Sequence, residues 1–254
     1  MTRLLLVAGA AVMAAPVHAQ TAADDYYDPE EMAAARKQLY AGHGAQVNSL
    51  ILAEQFEWLN NDDDALAWEA QAWVGGDINK FWFKTEGEYS TDESTFEAAE
   101  WQFLYSRAIH AFWDIQAGIR LDPEPGPARQ YGVVSLQGLA PYWFEIDAAL
   151  FLSDRGDLSA RLEAEYELRL TQRLILQPKI ELDLAASDDV ATGVFSGLNT
   201  LEAGVRLRYE IRREFAPYIG VLHESALGDA RDAVKAAGGD ASDTMLIAGL
   251  RFWY

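Results

Sequence analysis

Apolar and polar residues alternate along most of this chain with a period of two. Residues 160–170 (ARLEAEYELRL) carry an apolar side chain at every second position and a charged one between. Residues 174–184 (LILQPKIELDL) do the same after Ile175, and 201–210 (LEAGVRLRYE) repeat the pattern. Period two puts successive side chains on opposite faces of a strand, whereas a helix would scatter these charges around its circumference. Followed from Val47 onward, the alternation predicts strands near 47–60, 65–75, 80–89, 97–109, 113–122, 129–139, 142–152, 158–170, 174–186, 200–211, 215–226 and 243–254. Most are about ten residues long, the length a tilted strand needs to cross a bilayer. Their even number returns the chain to the side on which it began, as in bacterial barrels.

The connections sort by parity. Those after even-numbered strands are short, at 76–79, 110–112, 140–141, 171–173 and 212–214. Most of those after odd-numbered strands are longer and polar or acidic, at 90–96, 123–128, 187–199 and 227–242. Short turns at one end and longer loops at the other are the asymmetry of a transmembrane barrel. Aromatic residues agree with it: Trp58, Trp68, Phe81, Trp101, Trp113, Tyr142, Tyr166, Tyr209 and Phe252 fall near strand ends or on the apolar face. The chain ends on an aromatic strand, Phe252-Trp253-Tyr254. The expected fold is therefore all-β: an antiparallel, up-and-down transmembrane β-barrel of about twelve strands, surrounded by outer-membrane lipid.

The N-terminal stretch has a different character. Arg3, the apolar run 4–16 and Val17-His18-Ala19 have the order of a cleaved secretory signal. That run is shorter than the ~20 residues of a spanning helix. Asp28 as N-cap, Pro29 behind it and Glu30-Glu31 in the first turn predict a short helix that Gly42 and Gly44 end. The expected division is a signal peptide (1–19), a periplasmic segment with a short helix (20–45) and the barrel (46–254).

In a barrel of this type the polar face lines the lumen. Parity then turns Glu86, Glu88, Glu145, Asp147, Glu163, Glu165, Glu167, Glu181 and Asp183 inward, together with Lys84, Arg120, Arg161, Arg169, Lys179, Arg206, Arg208 and Arg251. Two readings stay open: ion-pair networks that fill the bore, or a continuous cation path. Glu54 falls on the lipid face by parity, which calls for either the outer rim or a bulge in the first strand. A formal charge of −20 argues against nucleic acid as a partner and favours cations. Without cysteine there is no disulfide and no thiolate metal site.

Candidate chemistry is sparse. Beyond residue 19 the histidines are His43, His110 and His223, and none has a serine and an acid beside it at strand spacing. The chain is accordingly expected not to be an enzyme. Thioether suits monovalent copper and imidazole divalent copper, which makes Met32, His43, His223 and Met245 the candidate soft-metal ligands. Met245 has luminal parity on the last strand, and antiparallel pairing offers to bring His223 close to it. The acidic runs Asp62-Asp63-Asp64 and Asp188-Asp189 are hard oxygen donors at the loop end.

Longer stretches carry a resemblance. GGDINKFWFKTEGEYS (75–90), YSRAI with FWDIQAGIR (105–120), LQGLAPYWFEIDAALF (136–151), ARLEAEYELRLTQRLILQP (160–178) and GVRLRYEIRREFAPYIGV (204–221) resemble the copper resistance protein B family. The resemblance implies a Gram-negative outer-membrane barrel that binds copper ions or helps move them. It also implies a partner, a periplasmic multicopper oxidase of the copper resistance protein A type. Many members of that family carry a long Met/His-rich segment before the barrel, where this chain has only Met32 and His43. The alternative reading is a general porin-like barrel with no metal specificity.

Overall fold

The computed structural model describes residues 22–44, 46–60 and 64–254. The signal sequence with its cleavage site near Ala19, and Asp62-Asp63, lie outside the described residues. The chain divides after Gln46 into two compact units. In the first, helix α1 (Pro29–Leu39) starts as the sequence predicts: the Asp28 carboxylate accepts from the Glu30 and Glu31 amides at 2.8 and 3.2 Å. This satisfies two of the donors that a helix start leaves open. A wider turn, Tyr40–Gly44, follows.

The second unit is a closed antiparallel barrel of twelve wall strands. They are β1 (Asn48–Asn60), β2 (Ala65–Gly75), β3 (Asn79–Ser90), β4 (Thr95–His110), β5 (Trp113–Glu124) and β6 (Arg129–Ala140). Next come β7 (Phe144–Ser153), β8 (Leu158–Glu165, resuming at Leu168–Arg169), β9 (Leu174–Ala185), β10 (Gly197–Tyr209), β11 (Phe215–Ala226) and β12 (Ser242–Trp253). Each pairs with the next, and β12 closes on β1 with Leu52 opposite Trp253 and Trp58 opposite Ala248. At the seam the Ile51 amide donates to the Tyr254 carbonyl at 2.9 Å and the Tyr254 amide returns a bond of 2.8 Å.

The alternation predicts an unbroken strand over 158–170, yet the ladder lapses at Tyr166 and Glu167. The cause is Pro178 on β9, which has no N–H to give. The Tyr166 amide still donates to the Pro178 carbonyl at 3.1 Å, and the register before and after the gap is the same. Parity survives, and Glu167 still meets Arg208.

The outer face is apolar. Phe56, Trp58, Phe81, Trp101, Ile119, Leu150, Ile219, Leu246 and Phe252 are all exposed, as lipid contact requires. Trp68 lies over Gly87, where a methyl group would come within 2.3 Å of the indole.

The loop asymmetry is narrower than the sequence suggests. Strands β3 and β4 pair out to Ser90 and Thr95, leaving only 91–94 between them. The long connections are 186–196 and 227–241, and the second contains a helix where the sequence predicts only a polar loop. This helix, α2 (Gly228–Ala236), is alanine-rich, with Asp229 in its first turn and Lys235 in its last. It ends on two glycines: Gly238, at positive φ, donates to the Lys235 carbonyl, and Gly239 donates to that of Val234. Both bonds cap carbonyls the helix leaves open.

Candidate functional site: the charged lumen

The first strand decides what the lumen contains. Ala53 pairs with Ala70 and Gln55 with Glu69, so Glu54 is an extra residue in the ladder. The register slips against β12 in the same place. A bulge reverses the facing of everything beyond it. Of the two options for Glu54, the bulge is the one realised: Glu54 lines the lumen, and Gln55 and Glu57 turn inward behind it.

Register then assembles an acidic row that no single strand displays. Asp147 lies opposite Glu163, Glu163 opposite Glu181, and Glu181 opposite Glu202. Glu202 lies opposite Glu224, and Glu224 opposite Asp243. The row crosses β7 to β12. It begins near the turn end on β7 and reaches the loop end on β12, because barrel strands are staggered. Directly opposed carboxylates repel, and cations offset part of the cost. Lys84 reaches Asp147 at 2.5 Å, Lys179 reaches Glu163 at 3.1 Å and Arg161 reaches Glu181 at 3.1 Å. Among the described residues no ion pair serves Glu202, Glu224 or Asp243. The sequence exposes the acids of β8 and β9 by alternation alone. Glu224 and Asp243 become neighbours of that set only through register.

Among the described residues several ion pairs join strands that are not neighbours, and three of them frame the middle of the bore. These three are Lys84–Asp147 from β3 to β7, Lys179–Glu69 at 2.6 Å from β9 to β2, and Arg161–Glu86 from β8 to β3, where Arg161 also reaches Glu100 on β4. Two cavities lie along the axis. The one nearer the turn end, about 320 Å³, is lined by Glu54, Gln102, Glu145 and Glu165. The one nearer the loop end, about 270 Å³, is lined by Glu88, Asp122, Glu124 and Glu202. Glu69, Glu86, Glu100 and Arg161 line both and form the partition. Arg169, expected inside with Arg161 and Lys179, is exposed at the turn end.

The candidate soft ligands are not brought together. Met245 faces the lumen but is buried among Leu59, Ala65, Leu222 and Ile247, where its thioether fills an apolar cluster. His223 pairs opposite Thr244 and shares a 2.8 Å hydrogen bond with its hydroxyl. Alternation puts that pair on the other face of the wall from Leu222 and Met245. Met32 is half-buried in α1, and the His43 side chain lies outside the described residues. Among the described residues no three His, Asp or Glu side chains converge as a ready metal cage.

At the loop end, 186–196 is tied to the start of β6. Arg129 donates to Asp189 through Nε at 2.8 Å and Nη2 at 3.2 Å. The same bonds hold the Asp189 carboxyl below the usual aspartate range. The tether therefore stabilises the loop fully above the ordinary aspartate pKa and is lost as pH falls through the depressed native value. Amide exchange in 189–194, corrected for intrinsic rates, is expected to accelerate on acidification, and to be fast at every pH in Asp189→Asn. Unchanged protection in that variant would show that the ion pair does not hold the loop.

A family model described as copper resistance protein B precursor (CopB) matches residues 47–254. Copper resistance protein B of Escherichia coli is 43% identical over 216 residues, covering 85% of this chain and 72% of that protein. The copper resistance protein B homolog of Pseudomonas syringae pv. tomato is 40% identical over 213 residues, covering 84% of this chain and 72% of that protein. Among solved structures, the NanC porin matches with a TM-score of 0.52 at 12% identity, over 81% of this chain and 99% of that one. At that identity the likeness is one of barrel fold.

Proposed function

The chain belongs to the copper resistance protein B family, and we propose that it carries copper ions along its lumen in the outer membrane, contributing to copper tolerance. The observation that carries this reading is the acidic row from Asp147 to Asp243, continuous over six neighbouring strands. Carboxylates are hard ligands that hold copper weakly, and among divalent first-row ions they favour Cu²⁺. Such a row suits passage better than storage. Stored copper needs thioether or imidazole sets, and Met245 and His223 face opposite sides of the wall. In this reading export follows cleavage near Ala19, the role is not catalytic, and copper is handed to or taken from a periplasmic multicopper oxidase. The separation of Met245 from His223 also favours a second reading, a porin-like barrel with no preference among cations.

The test is the triple variant Glu163→Gln, Glu165→Gln, Glu181→Gln. Lys179 keeps Glu69, and Arg161 keeps Glu86 and Asp183, so assembly should survive. Copper tolerance of cells carrying it is expected to fall toward that of a deletion strain, with cell-associated copper changed in parallel. Wild-type tolerance in a heat-modifiable, correctly assembled triple variant would mean that these acids only brace the wall. An equal effect on zinc and nickel tolerance would favour the unselective porin.

A further inference from the structure

We propose that Lys179 and Arg161 form a gate, two tethered cations seated where a passing cation must go. The proposal rests on the reading of the lumen as a cation path. Lys179 projects from β9 with its side chain 5% exposed, and its ammonium is shared between Glu69 on β2 at 2.6 Å and Glu163 on β8 at 3.1 Å. Arg161 projects from β8. It bonds Glu86 on β3, reaches Glu100 on β4 at 3.4 Å and holds Glu181 and Asp183 on β9 at 3.1 Å each. One residue thus links four carboxylates from both sides of the bore. The pair stands at the partition: Arg161 lines both cavities, and Lys179 lines the loop-end one.

Acids occupy the axis above and below this level. Glu54 and Glu165 line the turn-end cavity, and Glu88 and Glu202 line the loop-end one. A cation entering either cavity meets these carboxylates, with Lys84 at the turn end tied to Asp147 and Arg120 at the loop end tied to Glu100 and Asp122, and then the layer whose carboxylates Lys179 and Arg161 already occupy. Passage requires displacement of the ammonium or guanidinium from its acids, an exchange of one cation for another. The two residues differ in what they oppose. Lysine is a flexible point charge that can swing off its acids, whereas the planar arginine is fixed by several bonds at once. Arg161 also packs against Phe151, its guanidinium carbon 5.9 Å from the ring centre. Lys179 is thus the moving part and Arg161 the fixed one. A strongly bound divalent ion competes for Glu69 and Glu163 better than Na⁺ or K⁺, so the gate also selects.

The experiment uses the full-length protein in planar bilayers under a salt gradient, reading conductance and reversal potential. Lys179→Gln removes the ammonium. Because Glu69 and Glu163 are then left facing each other, Lys179→Gln with Glu69→Gln is measured beside it, and Lys179→Arg serves as the conservative control. Conductance is expected to rise at least about tenfold in both glutamine variants, the lower end of the ion enrichment a charge-lined path provides. Lys179→Arg should stay as closed as the wild type, and the open variants should be cation-selective. Glutamine variants that assemble and conduct no better than the wild type overturn the gate. A wild type that already conducts as freely as they do overturns it as well, while leaving the cation path intact. Open variants without cation selectivity would uphold the gate and reject the cation path.

Discussion

Replacing Glu57 with alanine is expected to destabilise the barrel by about 3–5 kcal/mol, the cost of stranding one partner of a buried ion pair. Glu57 on β1 and Arg206 on β10 are almost fully buried, with side chains 1% and 2% exposed and 2.6 Å between Oε1 and Nε. The Tyr218 hydroxyl on β11 donates to the same carboxylate oxygen at 2.9 Å, and Arg206 Nη2 donates to Gln55 at 2.8 Å. The network therefore ties β1 to β10 and β11 from inside the lumen, across the closure where β12 meets β1. Alanine leaves a guanidinium and a hydroxyl without their acceptor in a site from which water is excluded, and an unpaired buried charge is among the costliest defects a fold can carry. Glu57→Gln keeps an acceptor and should lose less. Glu57→Leu combined with Arg206→Leu removes both charges and should recover most of the loss. Urea unfolding in lipid vesicles, followed by tryptophan fluorescence and gel mobility, measures all three. Alanine and wild-type midpoints that coincide would show that the network is not what holds the seam.

That network also marks where the sequence stops being readable. Alternation gives the twelve strands and the luminal parity of Glu163, Glu165, Glu181 and Lys179, because a period of two is a local property of the chain. At Glu54 alternation shows only that the pattern breaks; whether the rim or a bulge accounts for the break is settled by the pairing of β1 with β2. The acidic row was half visible. Glu163 and Glu181 sit on consecutive strands, but Glu202, Glu224 and Asp243 join them only through a register that the whole closed sheet sets. His223 and Met245 look like neighbours from strand adjacency. One step of register, Leu222 rather than His223 opposite Met245, puts them on opposite faces of the wall. Which cation meets which acid across the bore was the least legible part, since Lys179 and Glu69 are linked only by closure. Helix α2 was missed for another reason: its apolar face, Ala230, Ala233 and Val234, is short and built mostly of alanine, no capping side chain marks its start, and its paired glycine stop reads as loop.

Gly118→Ala is expected to cost about 3 kcal/mol or more, at the top of what overpacking usually imposes, and to leave little assembled barrel. Gly118 is on β5, between Leu104 of β4 and Val133 of β6. A methyl group built there would sit 2.0 Å from the Phe103 carbonyl oxygen and 2.9 Å from the Leu104 Cα. Those are backbone atoms held in the sheet ladder and cannot turn aside as a side chain would, so either the β4–β5 pairing opens or the strand distorts. The control is Gly132→Ala on the adjacent strand, where nothing lies within 4 Å of the added carbon. There alanine only limits the freedom of the unfolded chain, and stability should hold or rise slightly. The consequence reaches the partition. Leu104, Val133, Ala149 and Phe151 form one luminal cluster, and the Arg120 guanidinium lies 4.6 Å from the Phe151 ring centre while bonding Glu100 at 2.8 Å. Arg120 is two residues from Gly118, on the same face. Any Gly118→Ala barrel that does assemble should therefore have a displaced Arg120, a loosened Glu100 and a higher resting conductance than Gly132→Ala. Equal gel yields and equal conductance for the two alanine variants would show that the close approach at Gly118 does not constrain the wall.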